Sequence, residues 1–102
     1  MKALHVPAPA VLLLLSTIAC FAANAENGHR IAQRWCAACH LISPNQRKGT
    51  TDAPPFSAVA RKPGFSAGRV ALFLLAPHPK MPDMNLSRAE AADLAAYIAT
   101  QR

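Results

Sequence analysis

The sequence has little of what folds other than helical ones require. Its 102 residues include only 4 Gly, and aromatic residues make up 6% of the chain. β-branched residues are also sparse, and no stretch alternates apolar and polar side chains over the length of a strand. These shortages argue against a β-sandwich or barrel, and a dinucleotide-binding α/β domain needs a longer chain. Short helices joined by loops are favoured, and the 9 Pro suit such loops.

Acidic residues are scarce as well. Five Asp and Glu stand against 11 Lys and Arg, which gives a formal net charge of +6. The basic residues are spread along the chain without interleaved aromatic side chains for base stacking, so nucleic acid is not an expected partner. This charge suits association with an acidic protein surface. The sequence has no Ser-His-Asp, paired-carboxylate or phosphate-loop arrangement, and we expect no enzymatic activity.

The first 25 residues are organised like a secretory signal peptide. Lys2 precedes an apolar run over residues 11–21, and Ala23-Asn24-Ala25 is a small-x-small cleavage site before Glu26. The apolar run is too short to cross about 30 Å of hydrocarbon comfortably. We therefore expect export to the periplasm, cleavage after Ala25 and no stable membrane insertion.

A lipoprotein signal is the alternative for this segment. Cys20 would then be the lipidated residue, although Thr17 suits that motif poorly. Cleavage after Ala25 instead leaves residues 26–102 as a single domain. A domain this short rarely builds a sufficient core unaided, and a disulfide, metal or large cofactor usually supplies what is missing.

The strongest motif of the chain is Cys36-Ala37-Ala38-Cys39-His40. This is C-x-x-C-H, the attachment motif of c-type haem. Two thiols about one helical turn apart can form thioethers with the two vinyl groups of one haem, and the adjacent histidine can ligate the iron. Two other interpretations stay open. A redox dithiol would usually follow a strand, and a zinc site would need further ligands from His29, His40 or His78 at unpaired spacing.

The chain resembles the small class I cytochromes c of bacteria. The resemblance covers nearly all of residues 26–102, and it depends on the order and spacing of several short motifs rather than on any one of them. The matching segments are Gly28 and Ile31 before the haem motif, Cys36 to His40, Asp52 to Phe56, Pro77 to Pro82, Leu86-Ser87 with Glu90, and Leu94 to Ile98.

This resemblance implies an all-α, small cytochrome c fold with three to four helices around one covalently attached haem. Cys36 and Cys39 would carry the haem c, and His40 would be the proximal ligand of its iron. The resemblance also implies Met81 as the distal ligand, because Met81-Pro82 lies at the family's distance before Leu86-Ser87. Pro54, or failing that Pro55, would hold the second ring nitrogen of the proximal histidine through its carbonyl.

Alternatives to these ligands remain. His78, Met84 or an open coordination position could replace the distal methionine, although Met84 falls where the family often has an apolar filler. His29 is expected to be solvated. Arg61 or Lys62 is a candidate partner of the haem propionates. In the family Gly28 and Tyr97 match the positions at which the first and last helices cross.

The local patterns predict where the helices lie. We expect a first helix from Glu26 to about Cys39, a helical turn over residues 56–60, and a helix over residues 67–76 that begins at the N-cap Ser66. Ser87 and Glu90 predict a capping box at the start of the last helix.

The predicted function is the transfer of single electrons between partner proteins by a monomeric, monohaem carrier in the periplasm. The partners would present acidic docking surfaces. One alternative is an electron-accepting haem subunit of a periplasmic dehydrogenase complex. A less favoured one is a ligand sensor with open iron.

Overall fold

Four α-helices and no β-strand make up the part of the chain that the computed structural model describes, residues 2–5, 22–50, 52–76 and 80–102. The helices are α1 (Ala25–Trp35), α2 (Phe56–Arg61), α3 (Ala67–Leu75) and α4 (Arg88–Ala99). The predicted all-α fold is confirmed. The apolar run of the signal-peptide prediction, with Cys20, lies outside the described residues, as does His78. None of the described helices is both long and apolar enough to cross a membrane.

The start of α1 is closed by Asn24, whose side chain accepts a hydrogen bond from the backbone N–H of Asn27 at 3.0 Å. The backbone N–H of Asn24 donates to one carboxylate oxygen of Asp93 at 2.7 Å, and the side-chain amide of Asn27 donates to the other at 2.8 Å. The first turn of α1 is therefore tied to α4 as well as capped.

The end of α1 differs from its prediction. The helix stops at Trp35 instead of continuing to Cys39. The backbone N–H groups of Cys36 and Ala37 both donate to the carbonyl of Ala32, at 2.8 and 3.0 Å. Because one carbonyl takes both donors, the regular α-helical pattern is lost there, and the haem motif folds as a turn.

Local capping signals set the starts of α3 and α4. The hydroxyl of Ser66 accepts from the backbone N–H of Arg69 at 3.4 Å. Ser87 and Glu90 form the predicted capping box, with both hydrogen bonds at 3.0 Å. The backbone hydrogen bond from Ser87 is the main cause that lowers the pKa of the Glu90 carboxyl. The predicted helical turn is α2, which extends one residue further, to Arg61.

Helix α4 is the centre of the core and packs against the other three helices. Its buried face includes Ala91, Leu94 and Ala95, none of which has any exposed surface. The predicted crossing with α1 is present at Gly28. A Cβ atom at this position would overlap the backbone carbonyl of Asp93 and come within 2.9 Å of the Tyr97 Cβ. The absence of a side chain at Gly28 therefore permits the close approach of the two helices.

We expect Gly28→Ala to destabilise the protein, although Ala is the better helix former by about 1 kcal/mol. The added methyl meets backbone, which cannot rotate away, and such overpacking costs about 1–3 kcal/mol. Gly68→Ala in α3 is the matched control, since a Cβ there has only the Ser66 hydroxyl oxygen nearby, at 3.7 Å. Denaturant unfolding of the two haem-loaded variants measures the difference. Equal stability of the two variants would contradict the close crossing.

Candidate haem site

A cavity of about 970 Å³ opens between the turn of the C-x-x-C-H motif, α3 and the loop before α4. Its volume lies at the upper end of the range of about 300–1,000 Å³ that is typical of ligand and cofactor sites. Most of the lining is apolar, and α2, α3, α4 and the loops between them contribute Phe56, Val59, Phe65, Val70, Phe73, Leu74, Leu94 and Ile98. The wall suits a large, flat apolar group such as a haem.

Both cysteines of the motif line this cavity, and they form no disulfide with each other. The turn is compact because the backbone N–H groups of Cys39 and His40 both donate to the carbonyl of Cys36, at 3.1 and 2.8 Å. Cys36 is buried and Cys39 is exposed. Burial raises the pKa of the Cys36 thiol to about 11. The motif therefore presents one thiol from the protein interior and one from the surface.

His40 lines the same cavity, and its ring is held from behind. Its Nδ1 atom lies 2.7 Å from the carbonyl oxygen of Pro54. Because a carbonyl only accepts, Nδ1 carries the hydrogen and Nε2 is left with a lone pair for a metal. The ring of Phe56 packs against the imidazole with 5.5 Å between centroids. This is the geometry that an axial histidine ligand requires.

The loop after the motif is fastened back onto it. The backbone N–H of Thr50 donates to the carbonyl of Cys39 at 2.9 Å, and that of Phe56 donates to the carbonyl of Leu41 at 2.9 Å. These bonds bring Pro54 up to the histidine ring. Of the two prolines considered from sequence, Pro54 supplies the carbonyl and Pro55 is the N-cap residue of α2.

Two methionines from the loop before α4 also line the cavity. Met81 and Met84 are both half-buried, and both contribute to the wall. Met84, expected from sequence as an apolar filler, therefore faces the same space as Met81. The loop that carries them has left-handed backbone at Lys80 and Asn85, with φ of +75° and +49°. The hydrogen bond from the Asn85 N–H to the Asp83 carboxylate, at 3.0 Å, tightens this loop.

The charged residues at the cavity only partly match the sequence analysis. Lys62 contributes to the wall, whereas Arg61 is exposed and is not among the lining residues. Arg69 and Lys80 also line the cavity, together with the single acid Asp52. Arg69 was missed, although its position in the first turn after the Ser66 cap was a usable signal.

Trp35 was also missed as a lining residue. It is the last residue of α1, next to Cys36, and 43% of its surface is exposed. Its side chain therefore belongs both to the cavity wall and to the molecular surface. Its place directly before the haem motif was the sequence signal.

His29, which was expected to be solvated, is only partly exposed. It is half-buried, and its ring stacks on Tyr97 with 4.6 Å between centroids and 10° between planes.

The two other interpretations of the cysteine pair, a redox dithiol and a zinc site, lack support in the described part of the chain. Those residues contain no group of three or more His, Cys, Asp or Glu side chains placed to hold a metal ion, and no strand precedes the cysteines.

Comparison with known proteins gives two matches. The family model described as cytochrome c oxidase, cbb3-type, subunit III matches residues 23–98. Cytochrome c-552 of Bradyrhizobium diazoefficiens is 49% identical over 87 residues, which cover 85% of this chain and 84% of that protein. No solved structure matches significantly.

Removal of either cysteine should leave a haem held by one thioether. We expect Cys36→Ala and Cys39→Ala each to keep a haem adduct in the denatured protein, because the other thiol still reacts. The remaining vinyl group stays conjugated with the macrocycle, so the absorption of the reduced, pyridine-treated haem moves to longer wavelength. Intact-mass spectrometry and that spectrum check the result, with the double variant as the adduct-free control. An unshifted spectrum in either single variant would remove that cysteine from the attachment site.

Proposed function

Because the chain belongs to the cytochrome c family and is an electron carrier with covalently bound haem c, we propose that it shuttles single electrons between partner proteins in the periplasm. The observation that carries this proposal is the placement of Cys36, Cys39, His40 and Met81 on one cavity. Two thiols, an imidazole and a thioether are the groups that attach and ligate a c-type haem.

The leader-like pattern of residues 1–25 supports export, with residues 26–102 as the proposed cytochrome c domain. Cleavage after Ala25 would remove the Asn24 cap of α1 and leave the bond from the Asn27 side-chain amide to Asp93 as the tie between α1 and α4.

The protein's part in this function is to hold the iron in one geometry in both oxidation states. Bound haem supplies an iron that cycles between ferric and ferrous. His40 Nε2 is directed to ligation because Nδ1 donates to the carbonyl of Pro54. Met81 is the proposed second axial ligand, and a methionine ligand favours the ferrous state. With His40 and Met81 both holding the iron, a substrate would have no coordination position, which would suit electron transfer alone.

The charged residues at the cavity fit the proposal that the partner protein presents an acidic docking surface. Lys62, Arg69 and Lys80 line the cavity against the single acid Asp52. Lys62 and Arg69 are the proposed donors to haem propionates. The net positive charge of the chain favours encounter with an acidic surface around the partner's redox centre. A free, monomeric carrier would use such steering to bind fast, and a small interface would let it dissociate fast.

A haem subunit fixed in a larger complex is the second candidate. The description of the matching family model, which names an oxidase subunit, favours it. A subunit of a periplasmic dehydrogenase is the corresponding alternative from sequence. Gel filtration of native extracts separates these from a free carrier, which elutes near its own small mass. An open-iron sensor would instead bind carbon monoxide in the reduced state without displacing a ligand.

We expect Met81→Ala to lower the reduction potential and abolish the weak long-wavelength band of Met-ligated ferric haem. The reason is that the thioether stabilises ferrous iron. A fall larger than about 60 mV, a tenfold change in the one-electron equilibrium, is expected. Electrochemistry and ferric absorption spectra make the measurement.

Met84→Ala is the matched control for the distal ligand, because Met84 lines the same cavity. It should keep both the band and a potential close to that of the wild type. Loss of the band in Met84→Ala alone would assign the ligand to Met84. A band retained in both variants would mean that either methionine can ligate the iron when the other is removed. Absence of the band from the unmodified protein would contradict methionine ligation altogether.

The rate of electron transfer to the natural partner should fall as salt rises from low to physiological concentration. Steering between opposite charges is screened over about 10 Å at 0.1 M salt. Stopped-flow kinetics checks this, and Lys62→Gln and Arg69→Gln should weaken the salt dependence. Arg30→Gln on α1 is the control away from the cavity. A rate that is flat or rises with salt would favour apolar docking, as in a tightly held subunit.

A further inference from the structure

We propose that Gln46 is a positioning residue. Its side chain holds the haem-attachment turn by hydrogen bonds and thereby orients the hydrogen bond from the axial histidine, His40, to the carbonyl of Pro54. This inference rests on the proposed ligation of the iron by His40. Gln46 lies in the loop after the motif and is half-buried. Its side chain contributes no atom to the cavity wall, so it acts through the turn rather than on the haem.

The side chain of Gln46 joins four backbone groups. Its Nε2 lies 2.8 Å from each of three carbonyl oxygens, those of Ala37, His40 and Lys48. Its Oε1 accepts from the backbone N–H of Ile42 at 3.0 Å. Two of these groups belong to the C-x-x-C-H motif, and the other two belong to the loop that follows it. The Nε2 atom therefore connects the turn to the loop, and the Oε1 atom adds a second bond to the loop.

One of these contacts involves the backbone of the histidine itself. The carbonyl of His40 is held by Gln46, while the ring of His40 is held by the carbonyl of Pro54, 14 residues further along the same loop. The position of the His40 peptide group relative to that of Pro54 decides how well the Nδ1–H bond of His40 points at the Pro54 carbonyl oxygen. A stronger bond at Nδ1 raises the basicity of the imidazole, which favours ferric iron.

The chemistry needed at this position is specific. A donor must reach the carbonyls of Ala37 and His40, and an acceptor must face Ile42. Glutamate keeps the acceptor and loses the donors, and its charge would face carbonyl oxygens. Lysine has three donors on a stem of similar reach and loses only the acceptor. Leucine removes both functions without adding charge.

The test compares Gln46→Leu, Gln46→Glu and Gln46→Lys in the haem-loaded protein. Two readouts are the solvent exchange rate of the His40 Nδ1–H by NMR of the reduced protein, and the reduction potential. We expect exchange about fivefold to tenfold faster in the Leu and Glu variants, and near the wild-type rate in the Lys variant. The Leu variant should also shift the ferric–ferrous equilibrium about fivefold toward ferrous, a rise of about 40 mV.

The same three substitutions at Gln33 are the matched controls, because Gln33 is exposed on α1. They measure the effect of charge and of composition alone, and they should leave the exchange rate unchanged. Loss of stability in Gln46→Leu with wild-type exchange and potential would overturn the proposal, since that result describes a merely structural residue. If Gln46→Leu does not fold, slow exchange in Gln46→Glu would overturn it equally. Failure of His40 ligation is a distinct result, seen as the absence of a low-spin haem spectrum in the unmodified protein.

Discussion

The close crossing of α1 and α4 holds together the part of the molecule on which the haem site depends. Gly28 allows the backbone of α4 to lie against α1, and Tyr97 packs at the crossing. The Tyr97 hydroxyl then donates to the carbonyl of Ile42 at 2.8 Å, beyond the haem motif. Burial raises the pKa of this hydroxyl. The crossing therefore fixes the helices and the start of the loop at once.

Different interactions shape the segment that carries His40 and the loop that carries Met81 and Met84. On the histidine side, the turn and loop are joined by backbone bonds from Thr50 and Phe56 and by the Gln46 amide. On the methionine side, the described loop is shaped by left-handed backbone at Lys80 and Asn85 and by one Asp83 side-chain bond. A firmly held histidine would suit an iron ligand that lies next to two attachment points, whereas Met81 and Met84 come from a separate segment of the chain.

What was predictable from sequence was local or had a fixed spacing. Ser66 and Ser87 predicted two helix starts, because an N-cap side chain bonds to a backbone N–H group within the next three residues. Gly28 was predicted as a crossing point because the resembled family has a crossing there. The end of α1 was missed because it depends on two N–H groups sharing the carbonyl of Ala32. Gln46 was missed because its partners lie on both sides of a turn whose shape no local pattern specifies.

The adjacency of Trp35 to Cys36 has a consequence for optical studies of unfolding. Trp35 is the sole tryptophan of the chain, and it stands one residue from a proposed thioether. Haem absorbs the energy of a nearby excited indole, and this peptide linkage persists when the chain unfolds. Indole emission should therefore stay quenched in the denatured state. Tyr97, far from the motif along the chain, would brighten on unfolding and is the natural fluorophore for reporting loss of the helix crossing.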